Sequence, residues 1–188
     1  MKLSPEDRER YRRQMILPSW GEKAQREIKE SCVFIAGAGG LGSPVALYLA
    51  AAGVGTLRIC DCGAVELSNL NRQILHADDQ IGENKAVSAL RTLERINPAV
   101  RVVPLSERIG SDNIASLLGP ARLMVDCLDN FPTRYVLNDY AVRAAVPLVH
   151  AGVSGLCGQI AFIQPPQTAC LACLVPEAPP TGVFPILG

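Results

Sequence analysis

Five apolar residues, Cys32-Val33-Phe34-Ile35-Ala36, run straight into Gly37-Ala38-Gly39-Gly40-Leu41-Gly42-Ser43, and this junction constrains the fold more than any other stretch. An unbroken apolar run of that length reads as a strand buried on both faces, as in a parallel sheet. Gly37, Gly39 and Gly42 fit GxGxxG between that strand and a small-residue helix predicted over residues 43–52. Glycine permits the tight turn and close backbone approach, and the helix N-terminus offers unpaired N–H groups to a phosphate. Asp61 closes the next predicted strand, residues 56–60, nineteen positions beyond Gly42, where a carboxylate can accept from ribose hydroxyls. The plain structural alternative is a glycine turn that serves packing alone.

The alternation continues along the chain. Ser4, Pro5 and the acids Glu6 and Asp7 predict a helix start that runs through residues 8–14. A second helix is expected over 22–30, an irregular polar segment over 67–80, and a helix over 83–96 stopped by Asn97-Pro98. Beyond it the pattern gives a strand at 100–105, a helix at 111–118, a strand at 123–128, a helix at 133–145 and strands at 146–149 and 159–163. Strands alternating with helices imply an α/β fold: a Rossmann-like, doubly wound, mostly parallel sheet with helices on both faces. With 188 residues the chain is expected to be one domain. N-terminal helices occupy 1–30, a nucleotide-binding core 31–164, and a proline-rich loop 165–188.

Eighteen Lys plus Arg balance eighteen Asp plus Glu, so no net field favours nucleic acid or an anionic membrane, and neither is expected as a partner. The charged N-terminus has no signal-type apolar core and no run of about 18 apolar residues occurs, which points to the cytoplasm. Seven cysteines, an odd count, are then expected to be thiols. Lysine is rare: after Lys29 only Lys85 remains, among many arginines.

The glycine loop alone suits NAD as well as ATP. Three further segments bear on the choice: Asn69-Leu70-Asn71-Arg72-Gln73 after the second strand, Lys85 at the start of a helix, and Asp126-Cys127-Leu128-Asp129-Asn130 after a later strand. All belong to the carboxyl edge of the inferred sheet, where open α/β sheets bind ligands. Hydride transfer has no evident need of Arg, Lys and a metal-competent Asp, whereas an anion attacking a triphosphate needs them. Each like-charge pair at ~4 Å costs about 4 kcal/mol at an effective dielectric near 20. Arg72 and Lys85 can supply fixed cations, and Asp129 can hold Mg²⁺ against phosphate oxygens. Plain structural readings stand beside these: Arg72 pairing with a loop acid, Lys85 solvated, Asp129 and Asn130 capping a helix, and Asp126 satisfied by backbone.

GAGGLGS, Asp61, SNLNRQ from Ser68, GENKA around Lys85 and DCLDN from Asp126, in this order, resemble the ThiF/MoeB/HesA family, relatives of ubiquitin-activating enzymes. The resemblance runs from Arg10 essentially to the C-terminus. It implies ATP-dependent adenylation of the Gly-Gly carboxylate of a small ubiquitin-like sulfur-carrier protein in a thiamin- or molybdopterin-type pathway, with release of pyrophosphate. By motif it places the nucleotide against Gly37, Gly39, Gly40, Gly42 and Asp61, against Ser68, Asn69, Asn71, Arg72 and Lys85, and against Asp129, the Mg²⁺ ligand, with Asn130. Arg13, in Arg10-Tyr11-Arg12-Arg13-Gln14, resembles the family's arginine that reaches into a neighbouring subunit's site, and with Arg72, Lys85 and Asp129 it completes the implied catalytic set. A homodimer is thereby implied.

The resemblance has two departures. Cys170 and Cys173 match the first half of a Cys-x-x-Cys pair for structural Zn²⁺, which ordinarily has four ligands. The second pair is missing, the chain ending at Gly188 where family members continue, so only Cys157 or His150 could complete a site. Where some members carry a reactive cysteine just before a segment like Thr181-Gly182-Val183-Phe184, this chain reads Pro176-Glu177-Ala178-Pro179-Pro180. Adenylation alone is therefore expected, with sulfur brought by a separate donor protein. Cys127 reads as a small buried hydrophobe. The alternatives are an NAD(P)-dependent oxidoreductase and a shortened, non-catalytic module that binds nucleotide or carrier.

Overall fold

β1, Cys32–Ala36, lies inside a six-stranded sheet of order β3-β2-β1-β4-β5-β6. The other strands are β2 (Thr56–Cys60), β3 (Arg101–Leu105), β4 (Leu123–Asp126), β5 (Leu148–Ser154) and β6 (Cys157–Ile163). β1 to β5 pair in parallel and β6 joins β5 antiparallel. The computed structural model describes residues 2–178. Chain order reverses direction between β1 and β4, and open sheets of this kind leave a ligand crevice at that point.

Alternation along β1 divides the core. Val33 and Ile35 face α4 (Gly42–Ala52) and α5 (Lys85–Ile96), meeting Ala46, Ala50, Ala89 and Leu93. Phe34 and Ala36 face α6 (Ile114–Leu118), α7 (Phe131–Ala144) and α8 (Leu171–Leu174), meeting Leu117, Leu137 and Leu171. Burying a Phe or Ile side chain contributes about 1.5–3 kcal/mol, and Phe34 and Ile35 are wholly enclosed. The unbroken apolar run at 32–36 thus reports a strand covered on both sides.

Several boundaries differ from the sequence expectation, each for a local reason. The N-terminal helix is two pieces, α1 (Pro5–Arg10) and α2 (Arg12–Met15), followed by α3 (Gly21–Glu30). Tyr11 breaks it: the ring is buried against Gly53, and its hydroxyl accepts from Asn97 Nδ2 at 2.8 Å. Asn84, whose Oδ1 accepts from Ala86 N at 3.0 Å, delays α5 to Lys85. Asn130 starts α7 two residues early by accepting from Thr133 N at 3.0 Å, while Asn113, bound to Gly110 N at 2.8 Å, holds 111–113 out of α6. β4 stops at Asp126, whose Oδ1 turns back to accept from Leu128 N at 3.0 Å.

The two short strands expected at 146–149 and 159–163 are instead a hairpin of seven-residue strands turning at Gly155, φ +57°. The proline-rich segment is not wholly loop. α8 interrupts it, with Leu171 buried and its N–H donating to Asn138 Oδ1 at 2.7 Å. The expectations for Thr181-Gly182-Val183-Phe184 and for the C-terminal residues lie outside the described residues. No described helix is long and apolar enough to cross a membrane.

Candidate active site

The glycine loop leaves β1 at the switch point, and its shape has a steric cause. Gly37 adopts φ +95°, and a Cβ there would sit 2.8 Å from Cys127 O; a Cβ on Gly42 would sit 2.0 Å from Gly37 O. The packing explanation for these two glycines therefore holds as well: the loop closes on itself and on the turn after β4. Gly39 and Gly40, half-buried, form the loop's outer part.

Asp61 follows β2 and faces this loop. Its Oδ2 accepts from Ala38 N at 2.8 Å and its Oδ1 from Gly63 N at 2.8 Å. Each carboxylate oxygen retains a lone pair for a ribose hydroxyl. Asn84 secures the same turn, donating from Nδ2 to Asp61 O at 2.9 Å and Gly63 O at 3.1 Å. Lys85 is the first residue of α5; its N–H donates to Gly63 O at 2.9 Å, and its stem passes 3.8 Å from where a Cβ on Gly63 would stand. Asp61, Lys85 and the glycine loop are therefore brought together.

The polar segment between β2 and α5 folds as two 3₁₀ turns, Leu67–Asn69 and Asp78–Gln80. Asn69 is largely a scaffold residue, buried, with Oδ1 accepting from Glu66 N at 3.2 Å. Ser68, exposed, donates to Glu66 Oε2 at 3.3 Å. Arg72 Nη1 donates to Ser68 O at 2.9 Å and to Asn71 Oδ1 at 3.0 Å, so Ser68 and Asn71 orient the guanidinium locally.

Asp129 and Asn130 are exposed on the turn after β4, with Asn130 Nδ2 donating to Asp129 Oδ1 at 3.4 Å. Asn130 is the α7 cap, as the structural reading allowed. Mg²⁺ commonly takes one or two carboxylates and completes its octahedron with phosphate oxygens and water, so one exposed carboxylate, on the turn whose Cys127–Leu128 backbone packs against Gly37, fits that ion. Asp126, directly beneath, is not satisfied by backbone alone. Its Oδ2 accepts from His150 Nδ1 at 2.6 Å and lies 3.7 Å from Arg134 Nε. Arg134 donates to Leu128 O and Ala151 O, and Gln159 Nε2 donates to His150 Nε2, 3.2 Å away. This buried group fixes the turn that carries Asp129; the sequence singled out His150 only as a possible zinc ligand.

Cys127 is buried, and burial, reinforced by the Asp126 charge, pushes its thiol up to about 12. It is no nucleophile at neutral pH. Cys170 and Cys173 sulfurs are 3.7 Å apart, the separation of two thiolates on one tetrahedral zinc with ~2.3 Å bonds. No third ligand joins them: among the described residues no three His, Cys, Asp or Glu cluster as a metal site. The completion by His150 fails because that ring is buried and bonded to Asp126 and Gln159. Arg13 is exposed on α2.

A glycine loop at the switch point, with an acid after β2 and a lysine and a second acid at the same edge, defines a nucleotide-binding domain of Rossmann type. The profile of the ThiF family matches residues 11–187, and the chain belongs to that family. It is 43% identical over 190 residues to the sulfur carrier protein adenylyltransferase of Thermus thermophilus, covering 98% of this chain and 70% of that protein. It is 41% identical to the heterocyst HesA protein of Trichormus variabilis, over 95% of this chain and 67% of the relative. Among solved structures, E. coli MccB with ATP superposes with a TM-score of 0.75 at 30% identity, over 79% of this chain. The chain spans 45% of the MccB length.

Proposed function

We propose that this adenylyltransferase uses ATP to activate the C-terminal glycine carboxylate of a small ubiquitin-like sulfur-carrier protein, releasing pyrophosphate. The observation that carries the reading is the meeting of the glycine loop, Asp61 and Lys85 at the switch point, with the Asp129 turn packed on that loop through Cys127. A carboxylate oxygen of the carrier attacks the α-phosphorus; the new C–O–P bond forms as the bond to the bridging oxygen of the β-phosphate breaks, and pyrophosphate departs with the electron pair. Two anions must approach, so the barrier is lowered by fixed charge and alignment rather than by covalent catalysis.

Asp61 receives the ribose hydroxyls, while Lys85 and Arg72 neutralise the phosphates. Mg²⁺, when bound at Asp129, would supply charge neutralisation to the phosphate oxygens. Arg13 is exposed on α2, which leaves it available to serve a second subunit in a homodimer. Burial raises the Cys127 thiol and residues 176–180 hold no cysteine, so neither of these positions supplies a reactive thiol, which favours a separate sulfur donor. ATP–pyrophosphate exchange against a panel of small proteins ending in Gly-Gly tests the reading. Exchange stimulated by at least one carrier is expected; Mg-ATP binding without exchange for any carrier would leave a binding module instead.

A further inference from the structure

His76 is buried at the centre of the site's scaffold, although it lies in the irregular segment and belongs to none of the motifs. Its Nε2 is 2.9 Å from Ala38 O in the glycine loop and its Nδ1 is 2.7 Å from Ser88 Oγ on α5. A carbonyl can only accept, so Nε2 carries the proton. Burial holds the imidazolium below its usual pKa, aided by the Lys85 charge and opposed by the Ala38 carbonyl and the Asp61 charge, so Nδ1 carries no proton and the single Ser88 hydroxyl proton is shared between Nδ1 and Gln80 Oε1. Ser88 in turn lies 2.8 Å from Gln80 Oε1, which accepts from Ala77 N at 2.9 Å.

The bond to Ala38 O has a consequence across the peptide. In a trans peptide the C=O and N–H point in opposite directions, so holding Ala38 O inward turns Gly39 N–H outward. The preceding plane is fixed too, because Ala38 N donates to Asp61 Oδ2. Glycine at 39 leaves the peptide free to rotate unless something holds it, and a flipped plane would present a carbonyl dipole to an anion.

We infer that His76 is a positioning residue that locks the Ala38–Gly39 peptide with its N–H toward the phosphates of bound nucleotide, and that through Ser88 it couples this loop to the helix bearing Lys85. The inference rests on the ATP reading of the site. His76→Gln keeps an N–H donor near the reach of Nε2, His76→Asn reaches only as far as Nδ1, and His76→Leu has no donor. Calorimetric titration with Mg-ATP and separately with adenosine distinguishes a phosphate effect from general loosening.

Loss of one hydrogen bond serving a charged ligand predicts Mg-ATP binding about 10- to 100-fold weaker in the Asn and Leu variants. Adenosine binding is expected to stay at the wild-type level, and Gln to restore most of the Mg-ATP affinity. Equal Mg-ATP affinity for Gln and Asn, or parallel loss of adenosine, overturns the inference. The Gln–Asn pair decides the matter even if the Leu variant does not fold. A wild-type chain that fails to bind Mg-ATP overturns the site reading itself, a result recognisable before any variant is made.

Discussion

Lys85 shows how one residue can be legible for composition and still need the fold to give it a task. As the sole lysine after Lys29 it stood out, but only the Gly63 contacts place it beside Asp61. Its backbone bond survives truncation, so Lys85→Ala is expected to change stability by no more than about 0.5 kcal/mol. Carrier-dependent pyrophosphate exchange should fall about 100- to 1000-fold, the usual cost of removing one transition-state donor. Near-normal exchange in a folded variant would remove Lys85 from the mechanism. Asn130 and the glycines were also readable, since capping and tight turns are local chemistry. His76 was not: its partner is 38 positions away in the loop, and no periodicity or motif announces such a bond. Asp126 was half legible, because an acid in an apolar strand demands a partner, yet His150 and Arg134 come from other elements.

At the scale of elements, the central strands were visible because burial on both faces leaves an unbroken apolar signature, whereas edges and junctions depend on what packs there. The antiparallel hairpin of β5 and β6 keeps exposed Ile160 and Phe162 on its outer strand and so lacks the alternation of a half-buried strand. The break at Tyr11 and the docking of α8 by Asn138 are tertiary events with no local signal.

The helix start at Ser4 was predicted, but not that Asp7 completes a capping box with Ser4 and also receives the Lys29 ammonium of α3. Burial acts to raise the Asp7 carboxyl, yet Lys29 and the Ser4 N–H and hydroxyl outweigh it and hold it below its usual value. A depressed folded-state pKa stabilises above the unfolded value of about 3.9 and is lost as pH falls through the folded value. Asp7→Asn should therefore cost about 1–3 kcal/mol near pH 7, with the gap from wild type narrowing below about pH 4. Urea denaturation from pH 7 to pH 3 reads it; a gap constant with pH would show that the ion pair contributes nothing. Gly42→Ala belongs to the same scale. Its Cβ at 2.0 Å from Gly37 O must force the loop open, and a loss of about 3 kcal/mol or more is expected from overpacking that backbone cannot relieve, seen as a lowered denaturation midpoint.

Across the whole molecule, Asp61 and Lys85 from the β2–β3 crossover and Asp129 from the β4–β5 crossover are stitched to one loop by Asp61, Asn84, His76 and the Cys127 turn. On the proposed reading, this arrangement is what separates the nucleotides that a glycine loop alone cannot. Asp61 can serve the adenosine ribose of NAD as well as of ATP, so the adenosine half does not discriminate; the cations and Asp129 matter only to a polyphosphate bearing a metal. A ligand at 100 times its Kd that binds only the folded state contributes about 2.7 kcal/mol, which for a domain of this size raises Tm by about 5–10 °C. Mg-ATP is expected to give a shift of that order, with EDTA removing a large part of it, because the metal's charge is then gone. NAD should give a smaller shift that EDTA leaves unchanged. An NAD shift equal to or above that of Mg-ATP would mean that Lys85 and Asp129 do not face the ligand, and the oxidoreductase alternative would then account better for the glycine loop.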